Sequence, residues 1–280
     1  MPIKSINEIE NPNKQLMTPI KEKQDIYIPD IVDKNISRRN GMIYLLTGSG
    51  GSGKSSLLLN MYKNKNMYRN KFQNIYYFCP EASFISVEKH PFENHDKVYH
   101  ELSVAHLEMI YQELLSKKTE AIESDNDKKT KKKKKKKANF EGEEEDLSEK
   151  EEVKEVKELE YSCIIIDDYA NQMKDKDLIK QLNKMVIKAR HILCSFIFTT
   201  QSYFYLEKVI RKQLTYVTIF QPKNVEEWNS IAKELFNMNK EDALTLYNYV
   251  FDEPYNHIDA DLVMNKYYKN FNYLEINSQL

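Results

Sequence analysis

The sequence predicts an α/β fold in which helices cover both faces of a mostly parallel central sheet. Three observations predict it. Short apolar runs of strand length alternate with stretches of helical periodicity. The glycine-rich segment Gly48-Ser49-Gly50-Gly51-Ser52-Gly53-Lys54-Ser55 joins the first such run to the first helix, and the run at 161–168 ends in the paired acids Asp167 and Asp168. Parallel neighbours need crossover connections, and interposed helices supply them.

Met42-Ile43-Tyr44-Leu45-Leu46-Thr47 is short, apolar and bounded by Gly41, as a strand buried on both faces should be. Four of the six glycines then fall within six residues, in the pattern G-x-x-x-x-G-K-[ST]. Glycine lets backbone N–H groups curl around phosphate oxygens without a Cβ in the way, and the N-terminus of the following helix adds partial positive charge. In this pattern, the Walker A loop, Lys54 reaches the β- and γ-phosphates and the Ser55 hydroxyl binds Mg²⁺. Gly48, Ser49, Gly50, Gly51, Ser52, Gly53 and Ser56 complete the cradle. Strand, loop and helix stand in the order the mechanism demands, so the sequence predicts binding of a nucleoside triphosphate, ATP, with Mg²⁺.

A second strand at 74–79 is stopped by Pro80, and residues 101–116 carry apolar positions at helical spacing. The third strand, 161–168, is followed by a helix at about 173–190. Thr200-Gln201 closes the fourth strand, 193–199, and a short helix ending near Arg211 leads to the fifth, 216–220. Helices at about 225–237 and 241–250 come next, ahead of a tail rich in Tyr, Asp and Asn that declares no element.

Net charge is −1 over 280 residues, which excludes a global field that recruits nucleic acid or membrane. That average conceals a segregated segment. Residues 117–160 hold 14 lysines and 15 acidic residues, with Lys131 to Lys137 unbroken and an acidic cluster from Glu141 to Asp146. Their apolar content is too low to offset the entropy of ordering, so they read as a disordered or partly helical insertion. The acids compete for those lysines, favouring a solvated, self-paired linker over a grip on nucleic acid. Residues 1–38 read as a polar N-terminal extension, with one short strand at Ile26-Tyr27-Ile28, and 39–280 as the P-loop domain. Cys79, Cys163 and Cys194 lie in or beside apolar runs and read as buried thiols of a reducing compartment. No apolar run reaches bilayer length and the N-terminus resembles no secretory or transit segment, so a soluble intracellular protein is expected, with no membrane partner. Histidines 90, 95, 100, 106, 191 and 257 show no metal-ligand spacing.

The remaining chemistry gathers at strand ends. A buried β-branched strand delivers Asp167 to the sheet's carboxyl edge, the form of a Walker B motif, where it would hold Mg²⁺ through the ion's water shell. Asp168 would orient or deprotonate the attacking water. Gln201 ends the next strand at the same edge, where its amide can bond the γ-phosphate or that water, and Thr200 offers a hydroxyl there. Arg211 could neutralise charge on the γ-phosphate across a subunit boundary, or be a solvated helix-end arginine. Glu81, just past the second strand, shares the edge.

With the loop and the acid pair, one further block carries a resemblance: Ala189-Arg190-His191, Ile197-Phe198-Thr199-Thr200-Gln201-Ser202-Tyr203, Ile210-Arg211 and Thr215. Over about residues 40–240, insertion aside, the chain resembles the poxvirus-type genome-packaging ATPases of large eukaryotic DNA viruses, in the FtsK–HerA superfamily. The resemblance implies a RecA-like (ASCE) P-loop sheet with an extra strand between those of Walker A and Walker B. It also implies an ATP-hydrolysing translocase of double-stranded DNA, a homo-oligomeric ring of five or six subunits, and Arg211 as arginine finger. A capsid or portal component at the packaging vertex would be its partner, in the host cytoplasm or viral factory or on the virion. The insertion and the N-terminal extension depart from the family pattern. Two alternatives stay open: a non-packaging motor of the same superfamily, and a nucleotide-binding switch or scaffold with little turnover, supported by Asp168 where Glu is usual.

Overall fold

A nine-stranded sheet organises the computed structural model, which describes residues 41–65, 67–121, 160–169 and 172–275. The chain runs β1 (Ile43–Thr47), α1 (Lys54–Lys63), β2 (Asn74–Phe78), α2 (Glu81–Ile85), β3 (Val98–Tyr99), α3 (104–121) and β4 (Ser162–Asp167). It continues through α4 (Lys176–Ile187), β5 (Cys194–Thr200), α5 (Lys208–Arg211), β6 (Tyr216–Phe220), α6 (Val225–Phe236) and α7 (Lys240–Val250), and ends in β7 (His257–Asp261), β8 (Lys266–Lys269) and β9 (Asn272–Leu274). In space the order is β3-β2-β4-β5-β1-β6-β7-β8-β9. The first six are parallel and the last three antiparallel.

β5 lies between β1 and β4, so an extra strand does separate the strand of the glycine loop from the strand of the acid pair. Register brings their carboxyl ends level, with Asp167 opposite Thr199 and Thr200 opposite Thr47.

Both faces are covered, by different means. Alternate residues of one strand point to opposite sides. Ile43 and Leu45 join a core with Ile164, Ile166, Phe196 and Phe198 under α3, α4, α5, α6 and α7. Tyr44 and Leu46 join a second core with Ile165 and Ile197 under α1 and the aromatic side chains of Tyr62, Tyr68, Phe72 and Phe92. The helices start where short polar side chains cap them. Asp175 accepts from the amides of Asp177 at 2.8 Å and Leu178 at 3.2 Å, Asn224 from Glu227 at 2.7 Å, and Asn239 from Asp242 at 2.9 Å.

Several elements depart from the sequence reading. The expected helix at 173–190 divides at the Asp175 cap into a single 3₁₀ turn, Gln172–Lys174, and α4. The helix placed at 101–116 occupies 104–121 and so continues into the segment assigned to the insertion. β3, two residues long, was not anticipated, and neither was the meander β7–β8–β9 in the tail. Cys79, Cys163 and Cys194 are buried free thiols as expected. The N-terminal extension with its strand at 26–28, and insertion residues 122–159, lie outside the described residues. No helix among the described residues is long and apolar enough to cross a membrane, and they contain no metal-binding cluster of three or more His, Cys, Asp or Glu.

The meander carries a buried acid. Asp259 on β7 is fully buried and accepts from Thr218 Oγ1 at 2.5 Å and from the Phe271 amide at 3.0 Å. His257 Nε2 stands 3.4 Å from its Oδ2. Burial pushes the Asp259 carboxyl up to about 8 and the His257 imidazole down to about 4, so the two meet as neutral groups at neutral pH. Between its ordinary 3.8 and about 8, folded Asp259 keeps a proton that the unfolded chain releases, and stability falls as pH rises. His257 acts in the opposite sense between about 4 and 6.5, leaving Asp259 unopposed by it above that. The free energy of unfolding should therefore fall between pH 6.5 and 8, by up to about 2 kcal/mol, and Asp259→Asn should flatten the slope. Urea denaturation at a series of pH values measures it, and an equal slope in the variant would refute the assignment.

Candidate nucleotide site

Residues 48–53 leave β1 in a turn that only glycine accommodates at its first position. Gly48 has φ +153°, and a Cβ there would lie 2.6 Å from Phe220 Cβ and 3.0 Å from Ser52 Oγ. Its amide donates to the Thr200 carbonyl at 3.2 Å, which fastens the loop to β5. Beyond it the loop opens: a Cβ on Gly50 or Gly51 would meet nothing within 4 Å. α1 then begins at Lys54, its first bond running from the Leu57 amide to the Gly53 carbonyl at 2.8 Å. The amides of a helix's first turn have no intrahelical acceptor and face out of its N-terminus. Ser52 Oγ is buried without a protein partner, which suits a loop whose remaining polar contacts are to a bound phosphate.

Lys54 is 8% exposed, and Nζ donates to the carbonyls of Gly48 at 2.7 Å and Ser49 at 2.8 Å. An ammonium has a third donor, the one available to a phosphate oxygen. Burial lowers the Lys54 pKa, and the charges of Asp168 and Asp167 oppose that shift.

Asp167 is 4% exposed at the end of β4 and is held from both sides. Tyr77 of β2 donates its hydroxyl to Oδ2 at 2.8 Å, and Thr199 of β5 donates to Oδ1. Burial raises the Asp167 pKa; those two bonds and Lys54 pull it down, while Asp168 pushes it further up. The Thr199 hydroxyl also accepts from the Asp168 amide at 3.0 Å, fixing the turn in which Asp168 takes φ +60°. Asp168 is exposed, and its Oδ1 accepts from Gln201 Nε2 at 3.3 Å. Thr200 Oγ1 donates to Thr47 Oγ1 at 3.2 Å, across β1 and β5.

Of the residues singled out from sequence, Asp168 and Gln201 touch, and Lys54 lies within the field of both acids. Ser55 and Ser56 are exposed on the first turn of α1, and Glu81 is exposed at the first residue of α2. Ser55 and Asp167 offer hard oxygen donors, the kind Mg²⁺ takes together with waters and phosphate oxygens. Arg211 is engaged elsewhere. Its Nε donates to Glu234 Oε1 at 3.0 Å, Nη2 to Oε2 at 3.3 Å and Nη1 to the Leu206 carbonyl at 2.8 Å, with the guanidinium over the rings of Tyr203 and Phe204. Sequence reasoning missed Tyr77 and Thr199, the two hydroxyls that hold Asp167. Thr199 becomes legible once β4 and β5 are known to be neighbours; Tyr77 carries no local sign.

No family model matches the chain, and no curated protein does. Solved structures do. B204, the DNA-packaging ATPase of Sulfolobus turreted icosahedral virus, superposes with a TM-score of 0.52 at 15% identity, over 85% of this chain and 99% of that one. The genome-packaging NTPase B204 of Sulfolobus turreted icosahedral virus 2, in complex with AMPPCP, gives 0.47 at 16% identity over 85% and 99%. EssC (ATPases 2 and 3) of Geobacillus thermodenitrificans gives 0.47 at 16% over 68% and 34%. At such identity the first likeness is one of fold. The chain has the fold of a P-loop ATPase. Within that class its fold is shared with a viral DNA-packaging ATPase, the kind of protein its sequence resembles.

The loop's geometry predicts unequal glycines. Gly48→Ala should lose about 1–3 kcal/mol to clash and backbone strain, while Gly50→Ala, in open space, should stay within about 0.5 kcal/mol of the parent. Denaturant midpoints compare them; equal losses would contradict this loop conformation.

Proposed function

We propose that the chain is an ATP-hydrolysing double-stranded DNA translocase that packages a viral genome into a preformed capsid. The observation that carries the catalytic part is the meeting, at one sheet edge, of side chains at the ends of β4 and β5 and at the first residue of α1: Asp167, Asp168, Gln201 and Lys54. In this reading the amides of residues 49–51 and 53–56 and the Lys54 ammonium hold the β- and γ-phosphates, while the Gly48 amide stays on the Thr200 carbonyl. Ser55 and, through the ion's water shell, Asp167 would hold Mg²⁺, which would supply positive charge against the phosphate oxygens. Gln201 and Asp168 orient a water in line with the γ-phosphorus. As the new P–O bond forms and the bond to ADP breaks, Asp168 accepts the water's proton.

The DNA part rests on the sequence resemblance and on the fold shared with a viral DNA-packaging ATPase. It brings with it a homo-oligomeric ring of five or six copies, a capsid or portal partner, and a place in the host cytoplasm, viral factory or virion. Arg211 enters as the residue that would reach a neighbour's γ-phosphate, and to do so it must leave Glu234. A second reading, a nucleotide switch with little turnover, draws on the exposed, short Asp168, already bonded to Gln201.

Steady-state ATP hydrolysis with and without long duplex DNA, recorded against oligomeric state, tests the proposal. Duplex DNA should stimulate turnover several-fold in the assembled form, and Lys54→Ala should cut it by about a hundredfold or more. DNA-independent turnover would sink the motor; turnover indifferent to Lys54 would sink the site.

A further inference from the structure

The sheet order gives a bound triphosphate a direction. The carboxylates proposed to meet Mg²⁺ and the γ-phosphate stand at the end of β4 and just past it, and Gln201 just past β5, both on one side of β1. The γ end of a nucleotide cradled after β1 therefore points toward β5 and β4. Its nucleoside end leaves on the other side, over β6 and β7. Of the rings there, two reach the start of α1. Phe220 is the last residue of β6 and pairs with His257, the first of β7, so the turn before β7 also lies at the carboxyl edge. Tyr255 sits in that turn.

A Cβ on Gly53 would come within 3.4 Å of Tyr255 Cδ1 and 3.5 Å of Phe220 Cε1, so both rings flank the start of α1. They differ in access. Phe220 is 2% exposed and forms a floor, packed on the His257 ring at 5.0 Å between centroids. Tyr255 is 70% exposed and presents its ring to solvent beside the loop. Its backbone takes φ +68°, a conformation that a bulky residue adopts at a cost, and its carbonyl lies 3.4 Å from His257 Nδ1. A large aromatic side chain held at such a position, next to the residue preceding the loop lysine, has the right place and an open face for a base.

We propose that Tyr255 is the platform for the nucleobase, stacking on its face, while the loop holds the phosphates. The inference rests on the nucleotide-site reading above and assigns that site its base-binding half. Stacking recognises a π-face common to all bases, so Tyr255 supplies affinity without choosing among them.

Titration calorimetry on the full chain, with MgATP and separately with magnesium tripolyphosphate, tests it in the parent, Tyr255→Ala and Tyr255→Phe. Tyr255→Ala should weaken MgATP about 5- to 150-fold, the range for loss of one stacked base, and leave tripolyphosphate within about twofold. Tyr255→Phe, which keeps the ring, should bind MgATP like the parent. If Tyr255→Ala binds MgATP like the parent, or loses both ligands equally, the platform is wrong while the phosphate site stands. If the parent binds neither ligand, the nucleotide-site reading falls and the platform with it.

Discussion

A carboxylate that sits 4% exposed at the end of a strand must be held by donors or surrender its charge, and Asp167 is in that position. Its two donors come from different neighbours, Tyr77 on β2 and Thr199 on β5, so the acid is stable where it is only because β4 lies between those strands in parallel register. The same Thr199 hydroxyl accepts from the Asp168 amide and so sets the direction in which the second acid leaves the sheet. Gly48, through its bond to the Thr200 carbonyl, ties the glycine loop to that strand as well. β5 is thus the common support of the loop, the acid pair and Gln201. This is the physical content of having an extra strand between β1 and β4.

How much of this was legible follows from how local each cause is. The loop and the five main strands are written in contiguous residues: glycines at fixed spacing, apolar runs of strand length, acids or amides just past them. Asp168 and Gln201 could be paired in advance because both end strands at one edge. Tyr77 could not. Its hydroxyl serves Asp167 across ninety residues, and nothing in Asn74–Phe78 distinguishes it from the other core aromatics. The meander was hidden for a different reason. Its strands mix lysines, aspartates and tyrosines, and burial of Asp259 depends on Thr218 and the Phe271 amide, partners set by pairing with β6 and by the following turn. Antiparallel strands can leave one face to water, as β8 and β9 do, so their composition does not announce them. α3 overran its expected end because Lys117, counted by charge with the insertion, belongs by contacts to the domain.

Those contacts also join the described residues on either side of the charged segment. Lys117 Nζ meets Glu160 Oε2 at 3.0 Å and Asn74 Oδ1 at 2.8 Å, and Asn74 Nδ2 meets the same Glu160 oxygen at 2.8 Å. Asn74 opens β2, and Glu160 precedes β4 by two residues. The described residues that bracket the segment are therefore joined at the amino edge of the sheet, one strand length from the acids, roughly 17 Å at 3.3 Å per residue.

Arg211 shows what separates a residue's presence from its use. A guanidinium in two-point contact with Glu234, with a third bond to the Leu206 carbonyl and rings against its faces, is already satisfied. Hydrogen bonds that involve charged groups are worth about 1.5–3 kcal/mol each, so leaving this arrangement is costly unless another anion replaces it. A γ-phosphate on an adjacent copy is such an anion, with charge enough to compete with a carboxylate. Glu234 would then be relieved of its partner and left with the Tyr203 hydroxyl at 3.0 Å. For the trans role the exchange must be close to balanced, and Glu234 is as much a part of it as Arg211. A chain in which the arginine never leaves α6 would use the pair as a clamp between α5 and α6, and its γ-phosphate would have to find its counter-charge in Lys54 and Mg²⁺ alone.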